Sequence, residues 1–185
     1  MRKMLSRFSM RDLMLIAAMA ALGIAIKPVV VPLAHLVSAP LLIPGGALAG
    51  GLYMMWLVVA AGLTGRVGAA TLAGLVQAIL VLVTGVSGSH GAMSLLSYTL
   101  PGVAVDLVLL ALRGRPLSMP VSFAAGIAAN LAGTLLTNWI FFRLPAVPLL
   151  LSLAVAAFSG GVGGLLSWQL LKCLCKYHIG GEMHA

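Results

Sequence analysis

The chain has 185 residues, 62% of them hydrophobic and 8% charged, and a net charge of +8 set against three acidic residues. Soluble domains carry about 25% charged residues, so a water-soluble globular protein is excluded. The positive charge does not point to nucleic acid, because the basic residues cluster at the ends of apolar runs.

A bilayer core of about 30 Å needs roughly 20 apolar residues per helix, and barrel strands would be short and alternating. The runs therefore predict an all-α integral membrane protein, a single domain over 1–185 with six transmembrane helices. The spans fall at about 11–31, 46–64, 67–84, 93–112, 119–142 and 147–172. The opening MRKMLSRFSMRD is basic and could pass for a signal peptide. The run behind it continues to Ala25 and ends in Lys27-Pro28 without a clear cleavage site, so it reads as the first span.

In the first span Ala17, Ala21 and Ala25 recur every four residues, with Ala18 beside them. Such a stripe lets another helix approach closely, within this chain or from a partner. The connection from Pro28 to Gly45 is apolar and carries Pro28, Pro32, Pro40 and Pro44. Proline at that density argues against one straight helix. A long loop is expected, with at most a short helix near Leu33 to Val37, acting as a lid or re-entrant segment.

In the second span Tyr53 and Trp56 share a face, suited to a flat heterocycle by stacking or to core packing. Gly46 and Gly50, like Gly160 and Gly164 in the last span, read as internal packing faces. Gln77 is a polar group in the middle of span three, where polar groups are costly and tend to be functional. The turn TGVSGSHGAMS, Thr84 to Ser94, holds His90 between glycines, where it could meet a ligand or solvent. Gly85, Ser87 and Gly88 have the shape of an intramembrane serine protease motif. That chemistry needs a histidine on a neighbouring helix, and the later ones, His178 and His184, lie in the C-terminal tail.

Tyr98 lies one turn into span four, near Ser94 and Ser97. Asp106, further along it, suggests a structural or coupling role, pairing with a basic group of another helix. Asp12, beside Arg11, reads as interfacial. In span five Asn130, Thr134 and Asn138 share a face, with Thr137 adjacent and Trp139 following. These residues suit either interhelical hydrogen bonds or ligand contacts. Cys173 and Cys175 read as reduced thiols. His35 and His90 have no paired carboxylate or thiolate, so no metal site is expected.

Six spans put both termini on one side. Arg2, Lys3, Arg7, Arg11, Arg66, Arg113, Arg115, Lys172 and Lys176 fall there, and only Lys27 and Arg143 fall on the other. The positive-inside bias predicts a multi-pass cell-membrane protein with both termini cytoplasmic and the proline-rich loop outside.

The Ala-x-x-x-Ala first helix, the long first outer loop and the block from Pro44 to Gly85 followed by YTLPGVAVDLVLL resemble the substrate-binding S components of energy-coupling factor (ECF) transporters. The thiamine and hydroxymethylpyrimidine group is the most similar. The resemblance implies a non-enzymatic subunit that captures a vitamin or vitamin precursor from outside. It implies docking through Ala17, Ala21 and Ala25 on a transmembrane coupling protein, with two ATPase subunits driving import. No Walker motif is present, so no cofactor is expected here and ATP is hydrolysed by partners. On this reading the substrate-binding residues are Tyr53, Trp56, Gln77, His90, Tyr98, Asn130, Thr134, Asn138 and Trp139. Another cargo (riboflavin, cobalamin, a tetrapyrrole, a metal), the protease and a ligand-free scaffold are the alternatives. The N-terminal histidine of nickel and cobalt subunits is replaced here by Arg2.

Overall fold

The computed structural model describes residues 8–41, 43–85, 91–112 and 118–176. Seven helices follow one another among them: α1 (Met10–Ala25), α2 (Lys27–Ser38), α3 (Gly45–Thr64), α4 (Ala69–Thr84), α5 (Ser94–Ala111), α6 (Met119–Thr137) and α7 (Ala146–Lys176). Five helical stretches are long and apolar enough to cross a membrane, the first being α1 and α2 taken together from Met10 to Ser38. The helix α4 is apolar but has only 16 residues. The chain is a multi-pass membrane protein, and its six expected spans correspond to these segments.

α3 is the central helix. It packs against α1, α2, α4, α5, α6 and α7. Its residues explain that position. GGALAGGLYMMWLVVAAGLT has no charge and many small side chains, so other backbones approach it from every side. A Cβ on Gly51 would run into the backbone carbonyl of Ser159, and one on Gly163 into the carbonyl of Gly51. Gly160 and Gly164 pack in the same manner on Gly126 and Ser122 of α6, which fulfils their reading as internal faces.

α1 begins with a capping box. Ser9 Oγ accepts from Asp12 N at 3.2 Å and Asp12 Oδ2 accepts from Ser9 N at 2.9 Å. Asp12 also pairs with Arg66 Nε at 2.8 Å, which ties the start of α1 to the α3–α4 turn. Gly65 and Gly68 in that turn have φ of 61° and 91°, where a side chain would be strained.

The proline-rich segment corrects the expectation of a long loop. Residues 27–38 form α2, separated from α1 only by a break at Ile26. Pro28 sits in the first turn, where no intrahelical N–H is needed, and Pro32 alone is interior. Pro40 lies in a short 3-10 turn over Ala39–Leu41, and Pro44 precedes α3 as its N-cap.

Asp106 is a second correction, since its partner is not a basic group. Its Oδ2 accepts from Thr71 N at 2.8 Å and Thr71 Oγ1 at 2.6 Å. Gly68, the N-cap of α4, has no side chain to offer, so a carboxylate from α5 serves the first turn of α4 instead. Asp106→Ala should therefore destabilise the protein by about 1–3 kcal/mol, with a smaller loss for Asp106→Asn, which keeps an acceptor. Thermal unfolding in detergent checks this.

Candidate functional site

The helices enclose a cavity of about 140 Å³ near the end of the bundle where α3 begins and α4 ends. Five helices supply its walls. α2 contributes Lys27, Val31 and His35. Gly46, Ala47, Tyr53, Met54 and Leu57 come from α3 and Gln77 from α4. Ser97, Tyr98 and Pro101 come from α5, and Gly133, Thr134 and Thr137 from α6. Pro44 and Phe142 complete it.

Lys27 stands at the start of α2 and is 6% exposed. Ile26 keeps helical backbone angles, so α2 runs on from α1 and carries the Lys27 side chain into the bundle. The ammonium lies 4.5 Å from the centroid of the Tyr53 ring and 4.2 Å from that of Tyr98. These are cation–π distances. Lys27 Nζ also donates to Tyr98 Oη. Tyr53 Oη donates to the Gly46 carbonyl at 3.3 Å, which holds that ring across the cavity.

Gln77 Nε2 and Ser97 Oγ are buried with no hydrogen-bond partner among the described residues. Unmade hydrogen bonds of this kind are uncommon and costly. Gly23 of α1 makes room for the Gln77 amide, since a Cβ there would collide with it. The His35 ring lies over Gly45, where a Cβ would come within 2.6 Å of it. Met54, Leu57, Pro101 and Phe142 supply apolar wall, and Thr134 and Thr137 add two hydroxyls.

Of the residues expected at the site, Tyr53, Gln77, Tyr98 and Thr134 line the cavity. Thr137 lines it too, although its hydroxyl is engaged with the Gly133 carbonyl at 2.7 Å. Asn130 does not line it. It is fully buried, and its Nδ2 donates to the carbonyls of Ala47 and Ala156, each at 2.9 Å. It therefore joins α6 to α3 and α7. Trp56 is half-buried outside the cavity wall.

Asn138 and Trp139 lie on the π-helical turn Asn138–Phe142 that continues α6. Together with Ile140, Arg143 and Leu144 they border a separate, shallower depression. Asn138 Oδ1 accepts from Leu144 N at 2.9 Å, and Trp139 is 78% exposed. Asn138 and Trp139, expected as substrate contacts, thus lie apart from the main cavity. His90 and Ser87 lie outside the described residues, so the turn they occupy has no described geometry.

The residue that sequence reasoning missed is Lys27. It was counted as a loop charge at the end of a span. The available signal was a lone cation in an apolar stretch that runs on past it to Pro44. Ser97 and His35 form two further corners of the cavity.

Ala17, Ala18, Ala21 and Ala25 are all exposed on the outer face of α1. Met10, Met14 and Leu22 are exposed on the same helix. Cys173 and Cys175 are free thiols near the end of α7.

The sequence profile described as "ABC-type cobalt transport system, permease component" matches residues 11–132. No curated protein matches the chain. Among solved structures, the chain is similar to one described as "Crystal structure of an S-component of ECF transporter". The TM-score is 0.78 at 18% identity, covering 92% of this chain and 87% of that one.

Proposed function

Because this chain belongs to the family of ABC-type cobalt transport system permease components, and its fold is that of an ECF-transporter S component, we propose that it is the substrate-capturing membrane subunit of an ECF-type importer. The observation that carries this reading is the enclosed cavity, walled by five helices and furnished with Lys27, Tyr53, Gln77, Ser97 and Tyr98. A scaffold would fill such a space with neighbouring side chains. With both termini cytoplasmic, as the distribution of basic residues favours, the cavity opens toward the outer side.

The cargo is a small, vitamin-like organic molecule. A cavity of about 140 Å³ is close to the roughly 150 Å³ that holds a benzene molecule in an engineered protein. One ring with short substituents suits it. Of the two cargoes that the sequence resemblance suggests, hydroxymethylpyrimidine fits that size, whereas thiamine has two rings and a positive charge beside Lys27.

A metal cargo is the second reading, because the family description names cobalt. Against it, no three His, Cys, Asp or Glu come together among the described residues. The ammonium of Lys27 would also repel a divalent cation. Isothermal titration of the purified protein with hydroxymethylpyrimidine, thiamine, Co²⁺ and Ni²⁺ separates the readings. Saturable binding of an organic compound supports capture of a vitamin-like cargo, and saturable binding of Co²⁺ alone replaces it with a metal.

Docking on a transmembrane coupling protein would use the exposed alanine stripe of α1, with two ATPase subunits behind it. Ala21→Trp should abolish co-purification with those subunits while leaving substrate affinity within about twofold, because Ala21 faces away from the cavity. A pull-down on the co-expressed complex checks this. Retained assembly would move docking to another face.

A further inference from the structure

The charge balance of the cavity is incomplete. The chain has three acidic residues. Asp12 is held by Ser9 and Arg66, and Asp106 by Thr71. The third, Glu182, lies in the C-terminal tail outside the described residues. Asp12 is 15 positions before Lys27 in the sequence, about 20 Å away along a helix rising 1.5 Å per residue. Among the described residues no carboxylate lines the cavity.

A lysine buried at membrane depth ordinarily finds a counter-charge, because the isolated charge is costly. Two tyrosine rings soften that cost by cation–π attraction and do not neutralise it. Gln77, whose Nε2 lies against Gly23, and Ser97 line the same cavity as the ammonium. Gln77 Nε2 and Ser97 Oγ are buried and unpartnered among the described residues. One cation, one unpartnered amide donor and one unpartnered hydroxyl, which can donate as well as accept, line a ring-sized space that an acceptor carrying negative charge would complete.

We propose that the substrate is an organic anion, a single-ring carboxylic acid, whose carboxylate is held by Lys27 with the Gln77 amide and the Ser97 hydroxyl, and whose ring lies among Tyr53, Tyr98 and Met54. This inference rests on the capture reading above. Binding supplies the counter-charge that the fold omits, and charge-assisted hydrogen bonds in an enclosed site are the strong ones. The same arrangement discriminates against the amide of the acid, which has no charge to offer Lys27 and presents an extra donor to a cavity already rich in donors.

The test is isothermal titration of the purified full chain with two acid–amide pairs, benzoate with benzamide and nicotinate with nicotinamide, alongside hydroxymethylpyrimidine and thiamine. At least one acid should bind about tenfold or more tightly than its amide. Lys27→Met should remove that preference, and Lys27→Arg, which keeps the charge, should retain part of it. The acid–amide comparison on the unaltered protein stands even if Lys27→Met fails to fold.

Amides, hydroxymethylpyrimidine or thiamine binding as tightly as the acids would overturn the anion assignment and leave the capture reading in place. Unchanged acid affinity in Lys27→Met would do the same. A panel in which no acid binds also overturns it. The capture reading falls separately, when none of the organic compounds binds and the protein fails to co-purify with coupling and ATPase subunits.

Discussion

Gly51→Val should be the most destabilising single substitution in the bundle. At the α3–α7 crossing the two backbones touch, Gly51 against Ser159 and Gly163 against Gly51, with no space for a side chain on either helix. The crossing is also stitched by hydrogen bonds. Gly51 N donates to Ser159 Oγ at 3.1 Å, and Ser159 Oγ donates to the Leu48 carbonyl at 2.5 Å. A branched side chain must push the helices apart, which removes those bonds together with the packing. Overpacking costs about 1–3 kcal/mol in a typical core, and the lost interhelical bonds add about 1 kcal/mol more. The midpoint of thermal unfolding in detergent should fall by many degrees. An unchanged midpoint would mean that the α3–α7 crossing is looser than described.

Gly46 has the opposite character five positions earlier on the same helix. A Cβ there meets only Tyr53 Oη, at 3.6 Å, an ordinary contact, and the position borders the cavity. Gly46→Ala should leave both folding and substrate affinity nearly intact. Gly46→Phe should place a ring in the substrate's space and abolish binding, a loss of at least about a hundredfold, with the unfolding midpoint little changed. Titration and thermal melts on the two variants read the two effects separately. Full affinity in Gly46→Phe would place the substrate elsewhere and would count against the cavity as the site.

Much of this architecture was legible in the apolar runs, because a span must be long and uncharged wherever its backbone meets lipid. The proline-rich segment was misread because proline was counted rather than placed. Pro28, Pro40 and Pro44 stand at helix starts and in a short turn, where the missing N–H costs nothing, so only Pro32 tests the helix. Tyr53, Gln77, Tyr98 and Thr134 were recognisable as polar or aromatic groups at depth.

What no sequence spacing revealed is which neighbour each of these residues meets. Asn130 and Thr134 share a face of α6. Yet Asn130 is spent on two helix carbonyls, whereas Thr134 borders the cavity. Lys27 escaped notice for a related reason. A lysine at a helix boundary is normally a topology signal, whereas this one is buried against the Tyr53 and Tyr98 rings.

The carboxylate of Asp106 at the start of α4 bears on how the chain is made. With 16 residues, α4 is about 24 Å long, shorter than the roughly 30 Å hydrocarbon layer. At its first turn the Thr71 N–H is met by the Asp106 carboxylate of α5 and not by a cap from its own helix. The acceptor for Thr71 arrives 35 residues later, on α5. On a ribosome adding residues from the N-terminus, Thr71 therefore emerges before the carboxylate that caps it. Asp106 thus binds α4 to its successor α5 as a hairpin, beside the packing of both on α3.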